Sequence, residues 1–162
     1  MNTDLQMFLR TVQALKLARG GDIGPCSGRT LEWCANQGLP EPIRQLLQDH
    51  APKTEIWAGA GAIFDEARIV SWNEDFPEAL RDKLLIVGSA GNGDHIAIDL
   101  IDGSTGYICH ETQWRLNPRS EFVAVSPSLG KYIRDINQGS TDLPPDYWKA
   151  REVTASRDGS EA

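Results

Sequence analysis

No stretch of this 162-residue sequence is apolar for long enough to span a membrane. The opening Met1 to Arg10 carries neither a basic cluster nor the unbroken apolar run of a secretory leader, so a cytoplasmic location is expected. Cysteine is scarce. Cys26, Cys34 and Cys109 form an odd set with no C-x-x-C pair, which fits neither a disulfide framework nor a zinc ribbon. They are expected to be reduced and packed as small apolar groups. Phosphate-binding signatures are missing too. Gly88 to Asp94 is glycine-rich but lacks both the Gly-Lys-Ser/Thr ending of a P-loop and a G-x-G-x-x-G spacing. It reads as a hairpin connection in which Asn92-Gly93 supplies positive φ. No serine stands in a G-x-S-x-G elbow and no cysteine in a recognised nucleophile context. No catalytic residue, metal ligand set or cofactor is therefore expected, and the chain reads as a binding protein and not an enzyme.

What is present is one core's worth of apolar residues, 40% of the chain, and hence one domain. The net charge of −7 is concentrated: ten acids and three bases lie between Ala60 and Glu111, and the remainder is balanced. That field repels phosphate backbones, so no nucleic-acid partner is expected, and with no segment long enough to span a bilayer no membrane partner is expected either. It suits either a solvated surface or a basic protein partner.

Patterning gives an α+β order. Thr3 and Gln6 have capping-box spacing, and Leu5, Phe8, Leu9, Val12 and Leu15 recur at helical intervals up to Gly20-Gly21. A loop follows, then a short helix from Thr30 to Gln37 with Trp33 as core anchor, ended by Gly38. Pro42 opens a helix with Ile43, Leu46 and Leu47 on one face. Glu55 to Trp57 and Ala67 to Trp72 read as strands around the small residues Ala58 to Ala62. A helix starts near Asp75 and Glu78. The apolar run Leu84 to Val87 and the alternating Ile96, Ile98 and Leu100 read as central strands. Ile98 is expected to face the interior and Asp99 to tolerate change. Tyr107 to His110 and Phe122 to Val125 are further strands, and Ser126-Pro127 opens a helix bearing Leu129, Tyr132, Ile133 and Ile136. The expected fold is a single α+β domain, a mixed or mostly antiparallel sheet flanked by helices, over residues 1–138. Residues 139–162 read as a polar, partly flexible tail.

Leu39-Pro40 opening a helix, a strand ending in Gly88-Ser89-Ala90-Gly91-Asn92-Gly93-Asp94, and the strand Ile96-Ala97-Ile98-Asp99-Leu100 occur in one succession. A glycine turn, Tyr107 to Glu111 and a closing helix after Ser126 continue it. This order, over about residues 27 to 138, resembles the SMI1/KNR4 (SUKH) superfamily. The resemblance implies a compact α+β domain with no catalytic residues known for the class. Bacterial members serve as immunity proteins that neutralise polymorphic toxins, often nucleases or deaminases; fungal relatives are regulatory scaffolds. A cognate toxin is the implied partner, and a non-enzymatic regulatory or scaffold adaptor is the alternative.

Cys109-His110-Glu111 places ligand types side by side, but successive strand residues point to opposite faces and do not converge on one metal. His95 and Asp99 share a strand face, which suits a cross-strand polar pair. Trp57, Trp72 and Trp114 stand near strand ends or loops beside acidic or polar neighbours, the setting of interface anchors as well as of buried cores. The candidate partner-binding residues are Trp72, Glu74, Asp75, Asp94, His95, Asp99 and Trp114.

Overall fold

The computed structural model describes residues 3–19, 22–58, 61–110 and 117–139. Helix α1 (Thr3–Arg19) leads to β1 (Ile23–Gly24) and α2 (Gly28–Gln37). The Ser27 side chain accepts from the Thr30 N–H at the start of α2, and Gly38 ends it in the left-handed conformation. In α3 (Glu41–Asp49), Pro42 sits in the first turn, where a missing N–H costs nothing. The short β2 (Ala51–Pro52) pairs with β1. Next come β3 (Ile56–Ala58), β4 (Gly61–Ile63), α4 (Glu66–Asp75), α5 (Pro77–Arg81), β5 (Leu84–Ser89) and β6 (His95–Asp99). The chain continues through β7 (Thr105–Ile108), α6 (Pro118–Glu121), β8 (Phe122–Ser126) and α7 (Leu129–Gly139).

Strands β3 to β8 form one six-stranded sheet in sequence order, every pairing antiparallel, so the domain is α+β with β5 and β6 at the centre. All five residues of β6 are buried, because the sheet is covered on both faces. Ile96 and Ile98 point to the side of Tyr107, whose hydroxyl lies 2.9 Å from that of Tyr132 on α7. On that side α7 crosses α1, and the Gly130 N–H donates to Asp4 Oδ1 at 3.1 Å. His95, Ala97 and Asp99 point the other way, toward α4, whose Asn73 bonds to the backbone of Ile86.

Two expectations need correction. Ala67 to Trp72 is not a strand but the body of α4: the Asp65 side chain accepts from the Arg68 N–H and starts a helix that buries Ile69, Val70 and Asn73. The adjacent β-branched pair Ile69-Val70 imitates a strand locally, but capping and burial on one helical face decide the matter. Asp99 is not on a tolerant, solvated face either. It is buried and ion-paired with Arg119, since the face opposite Ile98 is also covered. The segment 140–162 of the expected tail lies outside the described residues.

Candidate functional site

The candidate residues separate into two groups at opposite ends of β6. At the His95 end, α4 lays the half-buried Trp72 across the strand. Its ring stacks between Phe64 and Phe76, with centroids 5.9 and 5.3 Å away, and meets the His95 imidazole at 4.7 Å. The spacing of Trp72 and Phe76, one helical turn apart, puts both over β6. Phe64 arrives from the end of β4, where Arg68 lies over its outer face at 4.2 Å. Trp72 is thus largely an internal brace.

Next to His95, the Asp94 carboxylate is fully buried. It accepts from the His110 N–H at 3.2 Å and from Asn92 Nδ2 at 3.0 Å, and its Oδ1 lies 2.8 Å from His110 Nδ1. The half-exposed His110 ring thus meets a buried carboxylate through Nδ1. The pair ties the β5–β6 turn to the end of β7. It is half of a nucleophile-activating arrangement, but no hydroxyl or thiol among the described residues is hydrogen-bonded to the ring. A thiolate nucleophile needs a lowered pKa. Burial instead pushes the Cys34 thiol up to about 11, with Cys26 and Glu66 adding to the rise, and burial also raises Cys26. Among the described residues no three His, Cys, Asp or Glu side chains come together as metal ligands.

At the other end of β6, the Arg119 guanidinium binds both Asp99 oxygens and the carbonyls of Asp82 and Lys83. Asp82 Oδ2 accepts from the Arg119 N–H at 3.1 Å. This clip fastens α6 to the β5 and β6 ends. Glu74 and Asp75 are exposed at the C-terminal end of α4, and Glu74 pairs with Arg29 of α2 at 2.9 Å. Trp114 lies outside the described residues. The structure therefore brings together Trp72, Asp94 and His95, sets Asp99 apart from them, and leaves only Glu74 and Asp75 of the described set as exposed side chains. Phe64, Phe76, His110 and Arg119 complete the two groups. The sequence does not mark them in these roles, because their partners lie many residues away in the chain.

One further ionic cluster sits at the start of α4. Glu66 is buried, accepts from the Ser27 N–H at 3.0 Å and from Lys53 Nζ at 2.7 Å, and joins α2, α4 and the segment after β2. Burial alone would raise its pKa, but the bonds from Lys53, Ser27 and Thr30 outweigh it and hold the carboxyl below the ordinary glutamate value. A depressed folded-state pKa contributes stability that is present above the unfolded value, about 4.3, and is lost as pH falls through the folded value. Wild type is therefore expected to exceed Glu66→Gln in urea midpoint at pH 7, with the gap closing below about pH 4. A gap independent of pH would mean that Glu66 acts through packing alone.

No protein-family model matches the chain, and no curated protein matches it. Among the described residues no helix is long and apolar enough to cross a membrane.

Proposed function

We propose that this chain is an immunity-type protein of the SMI1/KNR4 class, which binds a cognate toxin domain in the cytoplasm and covers its active site or substrate groove. The observation that carries the reading is a succession of elements. Leu39-Pro40 opens α3, β5 runs into the glycine turn, His95 to Asp99 forms the central β6, and β7, β8 and α7 close an antiparallel meander. The charge distribution supports it further. The acid-rich middle of the chain includes exposed Glu74 and Asp75, and such a field speeds encounter with a cationic partner.

The test is co-expression with the product of the adjacent gene, assayed for toxicity on its own. Survival of the host and a stoichiometric complex on gel filtration, with the toxin chemically unaltered, are expected. Absence of a complex, or covalent change of the toxin by this protein, would overturn the reading. In the complex, Glu74→Lys with Asp75→Lys should slow association several-fold at low salt and less at high salt, because screening acts over about 8 Å at physiological ionic strength.

A further inference from the structure

A cleft of about 330 Å³ opens between α1, α3, the β6–β7 turn and the loop entering α7. Its floor is apolar, made by Leu5, Phe8, Ile43, Leu46, Ile98 and Leu129. At its rim stands Ile101, one of the residues that line it and, at 74% exposed, the most exposed large apolar side chain among the described residues. An isoleucine so displayed on a mobile loop would mean little, but this turn is braced throughout. Asp99 Oδ1 accepts from the Ile101 N–H at 2.9 Å, and the Gly103 N–H donates to the Asp99 carbonyl at 2.7 Å with Gly103 at φ +81°. Asp102 Oδ1 accepts from the Ser104 N–H at 2.8 Å, and the Leu100 N–H donates to the Lys83 carbonyl at 2.9 Å. Arg119 grips Asp99 from outside the cleft. Presenting Ile101 in this way removes the ordering cost that a flexible loop would incur on binding.

The charges at the cleft have one sign. Asp4, Asp99 and Asp102 are among the described residues that line it, and no Lys, Arg or His is. Asp99 is ion-paired with Arg119, whereas Asp102, exposed next to Ile101, feels the same guanidinium only at longer range. The Ser104 hydroxyl and N–H, with Arg119 adding a smaller effect, hold the Asp102 carboxyl below the ordinary aspartate value.

From this we infer that the cleft and Ile101 form a docking site for a protein segment that carries a large apolar side chain beside Lys or Arg. The apolar side chain fills the hole, its basic neighbour meets Asp102, and the partner's surface covers Ile101. A protein segment is favoured over a small molecule because Ile101, although it lines the cleft, is 74% exposed, and that much apolar surface is covered only by a partner wider than the cleft. The inference rests on the proposed immunity function only for who the partner is.

The experiment pans a displayed library of short random peptides against the full-length chain, then titrates a synthetic copy of the enriched peptide into methyl-labelled protein. Enrichment of Leu, Ile or Phe beside Lys or Arg is expected, with methyl shifts at Ile43, Leu46, Ile98 and Ile101. Ile101→Asp should weaken the peptide about tenfold or more, and Asp102→Lys several-fold at low salt, with melting temperatures unchanged because both side chains are exposed. No enrichment, anionic peptides, or shifts centred on Leu31 or Trp57 would overturn the site. So would a concentration-dependent dimer that masks Ile101, or peptide binding that appears only once residues 140–162 are removed, since the occupant would then be a second copy or the chain itself. A parallel titration with the product of the adjacent gene, once shown to be toxic, separates the two proposals. Toxin bound equally well by wild type and Ile101→Asp removes the cleft and keeps the immunity function. Peptide bound in the cleft with no toxin bound by wild type does the reverse.

Discussion

Replacing Asn73 by leucine is expected to lower the unfolding free energy by about 3–5 kcal/mol, a large part of the 5–15 kcal/mol typical of a domain. The reason lies in how β4 ends. It pairs with β5 only at Ala62–Ser89 and Ile63–Gly88, and Phe64 adds one bond to the Val87 carbonyl. One residue further along β5, the N–H and C=O of Ile86 point to where a neighbouring strand would continue. Asn73 takes that place: its Oδ1 accepts from the Ile86 N–H at 3.0 Å and its Nδ2 donates to the Ile86 carbonyl at 2.8 Å. A carboxamide has the donor and acceptor of a peptide unit, so α4 completes the edge of the ladder with a side chain. Leucine fills the space but leaves both buried backbone groups without partners, at about 1–3 kcal/mol each. Urea unfolding of Asn73→Leu measures the loss, with the exposed Glu74→Gln as a control near zero. An Asn73→Leu protein as stable as wild type would show that water or a shifted backbone satisfies Ile86.

The second large effect is expected at the crossing of α1 and α7. A Cβ on Gly130 would overlap the Asp4 carbonyl oxygen and stand 3.0 Å from the Phe8 nitrogen, both backbone atoms that cannot swing aside. Valine there must push the helices apart and loosen the packing of Leu5, Phe8, Leu129 and Ile133. Overpacking on this scale costs about 3 kcal/mol, which for a chain of this length lowers the melting temperature by about 10 °C. Gly28→Ala, where an added Cβ meets nothing within 4 Å, should leave it nearly unchanged. Equal melting curves for Gly130→Val and wild type would mean that the two helices are not held at this distance in solution.

Much of this architecture is legible in the chain because it follows local rules. The alternation of Ile96 and Ile98, the apolar run from Leu84 and the one-sided pattern of Leu129, Tyr132, Ile133 and Ile136 mark β6, β5 and α7 directly. Strand β4 is not legible, since Gly61 and Ala62 have no strand preference of their own and are extended because β5 and β3 pair with them. Helix α4 is masked by Ile69-Val70, although Asp65 and Glu66 already carry the signal of a helix start. The candidate site is less readable than the fold. Nothing near Asp99 announces Arg119, twenty residues on, and nothing near Asp94 announces His110 across the sheet. Burial of a charged side chain depends on such distant partners, and a single sequence does not pair them.

The contact between α1 and α7 also sets an order of events during synthesis. Leu5, Phe8 and Val12 leave the ribosome well before α7, which is part of what covers them and lies more than a hundred residues later in the chain. Until Leu129 to Ile136 emerge, the nascent chain carries an apolar helix without its partner, a form open to chaperones and to proteolysis. Closure of the domain is therefore a late and long-range step, and the amount of active protein in a cell will depend on how quickly that step follows the last strands of the sheet.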